Sequence, residues 1–107
     1  MTGSRLIGRL IVPIALALAG CGAQPIVSQR LLERGTFAIV FDAGAEHAAV
    51  EAAARDLCAG QQWCKVMGWT DANAAAITLP MTERELAAQR FSLTINRASG
   101  MDEVTWR

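Results

Sequence analysis

A chain of 107 residues with ten basic and ten acidic side chains is long enough for one small domain and no more. No run of Lys and Arg is dense enough to neutralise a phosphate backbone, so nucleic acid is not an expected partner. One histidine and three cysteines are a thin donor set, and no metal site, cofactor site or catalytic residue is predicted.

The chain opens with Arg5 and Arg9 and no acidic neighbour. Leu10 to Ala19 then run without a charge, weighted by Ile11, Val12, Ile14, Leu16 and Leu18. This apolar stretch is about half of the ~20 residues a membrane-spanning helix needs. A short apolar core behind basic residues is a secretory signal rather than a span. Pro13 disfavours a long regular helix there as well.

Leu18-Ala19-Gly20-Cys21 closes the segment and resembles the lipobox of bacterial lipoproteins. The resemblance covers these four positions and the leader behind them. It implies a diacylglycerol thioether on Cys21, cleavage of residues 1–20, and acylation of the new amino terminus. Two or three chains on one residue, at ~0.8 kcal/mol per buried CH₂, make release from a membrane very slow. A soluble secreted protein with an accidental cysteine is the alternative. Gly22 stands where some enteric lipoproteins carry an inner-membrane retention aspartate, so the expected location is the outer membrane, facing the periplasm. Loss of the leader removes Arg5 and Arg9 but no acidic residue, leaving a mature chain with two more acidic than basic side chains.

Residues 21–35 read as the lipidated cysteine and a tether. Gly22, Pro25, Ser28 and Gly35 punctuate the stretch without a sustained period. Fully extended, residues 22–35 reach ~46 Å. Ile26, Val27, Leu31 and Leu32 offer a way for part of it to dock on the domain. Residues 36–107 are then a single α+β domain, small enough for a covalent staple to matter.

Thr36 to Asp42 is the clearest strand, apolar on both faces as in a strand covered on two sides. Ala45 to Ala59 reads as a helix with Val50, Ala53, Ala54, Leu57 and Cys58 on one face. Glu46 falls in its first turn, Glu51 is spaced to pair with Arg55, and Gly60 fits a terminator. Trp63 to Thr70 is a second strand, with Gly68 marking a bulge or a close backbone approach. The three make a βαβ unit, parallel if its strands are direct neighbours.

After a turn at Asp71-Ala72-Asn73, Ala74 to Leu79 is expected as a third strand ending at Pro80. Thr82 and Glu85 have capping-box spacing and open a short helix to about Gln89. Phe91, Leu93 and Ile95 alternate with polar residues as in a strand wet on one side. Met101 to Arg107 is either a hairpin strand or one helical turn, the strand being preferred. The order β-α-β-β-α-β, with a possible C-terminal hairpin strand, is that of a small two-layer split βαβ, or ferredoxin-like, domain. The term describes the layout of elements and implies no iron–sulfur cluster.

Cys58 and Cys64 are expected to pair as a disulfide, because an exported domain meets an oxidising compartment once Cys21 is lipidated. A redox role is disfavoured. Cys-x₅-Cys lacks the spacing that puts a sulfur at a helix N-terminus, and Cys58 lies at a helix C-terminus, where the dipole raises a thiol pKa.

Asp42 and Asp71 end the two strands of the βαβ unit at one edge, where open α/β sheets often bind ligands, and His47 lies one turn into the helix nearby. The plainer alternative is that Asp42 caps the helix, Asp71 shapes a turn and His47 is exposed. Trp63, Lys65, Met67 and Trp69 share a strand face that suits either core or contact with a glycan or partner. Two functional readings result. One is a non-enzymatic envelope module held to the membrane through Cys21, binding an envelope protein or glycan. The other is a periplasmic thiol-redox factor or small enzyme using Cys58/Cys64 or the Asp42/Asp71 edge.

Overall fold

The computed structural model describes residues 24–107; the expected leader at 1–20 and the expected lipidation site Cys21 lie outside the described residues. The elements are β1 (Ile26–Glu33), β2 (Thr36–Phe41), α1 (His47–Leu57), β3 (Trp63–Trp69), a 3₁₀ turn (Ala72–Ala74), α2 (Glu83–Ala88), β4 (Phe91–Asn96) and β5 (Met101–Trp106). The strands form one five-stranded sheet in the order β1-β2-β3-β4-β5. Only β2 and β3 pair parallel; the other neighbours are antiparallel. The domain is α+β, a mixed sheet with two helices, as its sequence predicts.

Within that class the layout departs from the split βαβ expectation at two places. Ile26–Glu33, read as tether, is a strand paired along β2, with register shifts at both of its ends. Gly35 makes the reversal possible. Its φ of +78° suits a residue without a side chain, and a Cβ there would lie 2.9 Å from the carbonyl oxygen of Trp63. The second departure is Ala74 to Leu79, expected as a strand, which is a 3₁₀ turn followed by irregular chain with a cis Leu79–Pro80 peptide. No inner edge remains for a strand at 74–79, because β4 holds the free side of β3 and β1 holds that of β2. The two parallel strands are therefore direct neighbours, and the split arrangement is replaced by an adjacent βαβ unit flanked by hairpins.

Both sheet faces are covered, giving three layers where two were expected. On one face α1 sets Val50, Ala54 and Cys58, at four-residue spacing, onto Ile39, Val66, Leu93 and Ile95. α1 is shorter than the predicted 45–59 and Glu46 stands at its N-cap. On the other face Ala74 and Ala76 lie against Ala38, Met67 and Trp69. Trp69 is fully buried, and its indole Nε1 donates to the carbonyl of Glu85 at 2.8 Å, which ties α2 to the sheet. The expected capping box is present, with Thr82 and Glu85 exchanging their bonds. Residues 101–106 adopt the hairpin strand in preference to a helical turn.

One local pairing is overridden. Glu51 and Arg55 are spaced to meet, yet Arg55 forms its salt bridge with Asp102 on β5 at 2.5 Å. The carboxylate of Glu51 instead accepts from the indole of Trp106 at 2.8 Å. Both contacts fasten β5 to α1.

Candidate functional site

The carboxyl edge of the parallel pair gathers residues from five places in the chain. β2 delivers Phe41 and the loop residue Ala43; α1 delivers His47; β3 runs out at Thr70; Arg90 precedes β4, Trp106 ends β5 and Arg107 follows it. Together they line a hollow of about 180 Å³. Open α/β sheets bind ligands at this edge because the strand ends and the helix N-terminus converge there.

Trp106 organises the hollow. Its ring lies parallel to His47 with centroids 3.7 Å apart. It meets Phe41 edge-on at 5.7 Å and Phe91 at 4.6 Å. Gly68 allows this packing, since a Cβ there would stand 2.9 Å from Phe41 Cε1 and 3.1 Å from Phe91 Cδ2. The close-approach reading of this glycine is the one realised.

Arg90 and Arg107 are brought side by side by the β4–β5 register, in which Phe91 faces Trp106. The Arg107 amide donates to the carbonyl of Arg90 at 2.8 Å, and Arg90 Nε donates to the carbonyl of Arg107 at 3.0 Å. Arg107 Nη2 reaches the carbonyl of Leu86 at 3.4 Å. Among the described residues the sole ion pair between side chains is Arg55–Asp102, so neither Arg90 nor Arg107 has an Asp or Glu carboxylate within ion-pair distance. Arg55 itself has its pKa raised by the hydrogen bond to Asp102.

The alternative reading of Asp42, Asp71 and His47 as an acid/base cluster is not the one the hydrogen bonds form. Asp42 Oδ2 accepts from the amide of Gly44 at 3.2 Å, and Asp71 Oδ1 accepts from the amide of Asn73 at 2.8 Å. Each carboxylate shapes its own turn; Asp42 does not cap α1, whose N-cap is Glu46. His47 keeps company with Trp106 rather than with either aspartate. Sequence reasoning missed Arg90, Trp106 and Arg107. The available signal was the β4–β5 hairpin, because pairing outward from a turn at 97–100 sets residue 90 opposite residue 107.

Cys58 and Cys64 are joined as expected, their Cα atoms 5.6 Å apart. Both residues are fully buried within the α1-side core. Arg97 covers the loop between them, donating from Nε to the carbonyl of Gln61 at 2.7 Å and from Nη2 to that of Cys58 at 3.3 Å. Thiol–disulfide exchange needs an attacking thiolate to reach a sulfur, and this burial withholds both. On the stripe Trp63-Lys65-Met67-Trp69, Met67 and Trp69 are core while Trp63 is 43% exposed at the opposite, amino edge.

Comparison with known proteins adds no relative: no family model matches the chain, and no curated protein or solved structure matches it significantly.

Proposed function

We propose that the protein is a membrane-anchored envelope lipoprotein, held in the outer membrane through lipid on Cys21, whose α+β domain is a non-enzymatic binding or structural module. The observation that carries this reading is Leu18-Ala19-Gly20-Cys21 at the end of an uncharged apolar segment behind Arg5 and Arg9. Removal of residues 1–20 then leaves Cys21 as the lipid-bearing first residue. Support comes from the Cys58–Cys64 bond, which fits an oxidising compartment. The buried sulfurs and the turn-bound carboxylates of Asp42 and Asp71 favour a binding role over thiol-redox or acid/base chemistry.

Intact mass of the native protein, with and without reductant and thiol alkylation, tests the reading. The expected mass lacks residues 1–20, carries acyl chains, and gains two alkyl groups only after denaturing reduction. The Cys21→Ser chain is expected to carry no lipid. A native protein that retains its leader, or a Cys21→Ser chain that is still acylated, overturns the anchor.

A further inference from the structure

The strand that follows the anchor fixes which end of the domain meets the membrane. This inference rests on the lipid-anchor reading. Ile26 opens β1 opposite Phe41, the last residue of β2. The carbonyl of Pro25 also accepts from the amide of Asp42 at 3.0 Å. The chain therefore enters the fold at the carboxyl edge of the parallel pair. From Cys21 to Ile26 the backbone reaches at most ~18 Å, at ~3.3–3.6 Å per residue. The opposite edge lies along β1 at Glu33, ~23 Å from Ile26 at ~3.3 Å per residue. Cys21 reaches the carboxyl edge with slack and falls short of the amino edge.

The carboxyl edge has the chemistry for that position. Its β4–β5 half carries Arg90 and Arg107, neither paired with an Asp or Glu side chain, beside the amphipathic indole of Trp106. The acidic side chains of this edge follow β2 and β3 or belong to α1 and its N-cap, not to the β4–β5 half. Asp42 and Asp71 bond their own turns, Glu51 holds the Trp106 indole, and Glu46 lines a separate hollow toward β1. A guanidinium pair matches a phosphodiester, and Trp with Arg suits a bilayer interface, where an apolar body and a polar tip are both satisfied.

We propose that this edge lies on the anchoring bilayer, with Arg90 and Arg107 engaging the phosphate of anionic phospholipid headgroups and Trp106, backed by His47, at the interface. The amino edge, with the disulfide and the exposed Trp63, points away from the membrane.

The lipidated full chain, reconstituted in vesicles of phosphatidylglycerol and phosphatidylethanolamine with brominated acyl chains, tests this by tryptophan quenching. Trp106→Phe is expected to abolish most of the quenching and Trp63→Phe to leave it intact. The Arg90→Gln/Arg107→Gln double variant changes exposed residues and keeps the Trp106 packing. It is expected to lower the ratio of docked to undocked protein by about 30-fold, at about fivefold per basic residue near an anionic surface. Quenching that depends on Trp63 instead of Trp106 overturns the orientation. Quenching unchanged in the double variant, or equal in vesicles of phosphatidylcholine alone, overturns the headgroup contact. A Cys21 without acyl mass, in protein that fails to float with vesicles, overturns the anchor and this inference with it.

Discussion

The indole of Trp106 and the imidazole of His47 lie 3.7 Å apart, centroid to centroid, with planes within 4° of parallel. The contact joins the last residue of β5 to the first residue of α1, so it closes the outer hairpin onto the βαβ unit. Trp106→Ala removes this stack, two further aromatic contacts and the bond to Glu51. Because Trp106 is only partly buried, the expected loss is about 3 kcal/mol, the low end for an aromatic-to-Ala change. His47→Ala is expected to cost about 1 kcal/mol. A double-mutant cycle by urea unfolding should return a coupling of about 1 kcal/mol, and a coupling near zero would show that the stack contributes nothing.

The disulfide closes a short loop, with a sequence separation of 6. Chain entropy puts the loss on Cys58→Ala/Cys64→Ala at about 2.4 kcal/mol, read as a lower denaturation midpoint. In the native protein neither sulfur should react with an alkylating agent under mild reductant, since both cysteines are buried. Rapid labelling without loss of fold would contradict the structural role.

Gly68 on β3 leaves room for the rings of Phe41 and Phe91 on its neighbours. Gly68→Ala forces both aromatics to move and is expected to destabilise by about 1–3 kcal/mol, as overpacking does. At Gly60 no atom lies near the corresponding position, but its φ, unlike that of Gly68, is positive. Gly60→Ala therefore isolates backbone strain, at about 1 kcal/mol, and thermal denaturation of the two variants separates the two costs.

Arg55 and Asp102 form the ion pair between α1 and β5, but their side chains are 40% and 48% exposed. Solvent screening limits such a pair to less than about 1 kcal/mol. Asp102→Asn is expected to cost no more than that in low salt, and the difference should vanish at high ionic strength. A loss above 2 kcal/mol would mean that the pair fixes the β5 position rather than decorating it.

Much of this fold is legible in the sequence where the signal is local. A continuous apolar run marks β2, alternation marks β4, the Thr82/Glu85 spacing marks α2, and Val50, Ala54 and Cys58 mark the buried side of α1. Cysteine pairing was readable because only two cysteines remain once Cys21 is assigned to lipid. β1 escaped because its pairing is interrupted by two register shifts, which break the period-2 pattern that identifies a strand. Ala74 to Leu79 misled for the opposite reason. Ala74 and Ala76 are buried in alternation, yet they pack as small residues under the sheet, not as members of its ladder.

The candidate site follows the same division. Asp42, Asp71 and His47 were visible as residues at a strand or helix end, but their partners were not. Adjacent backbone amides captured the two aspartates, and His47 went to an indole far along the chain. By itself the sequence determined the α+β class, the capping box and the identity of the staple, because each depends on residues close together in the chain. Only the tertiary structure decided the strand order, the membership of β1, and the meeting of Arg90, Trp106 and Arg107. Those depend on which strand occupies which edge, a competition among distant segments for the same unpaired N–H and C=O groups.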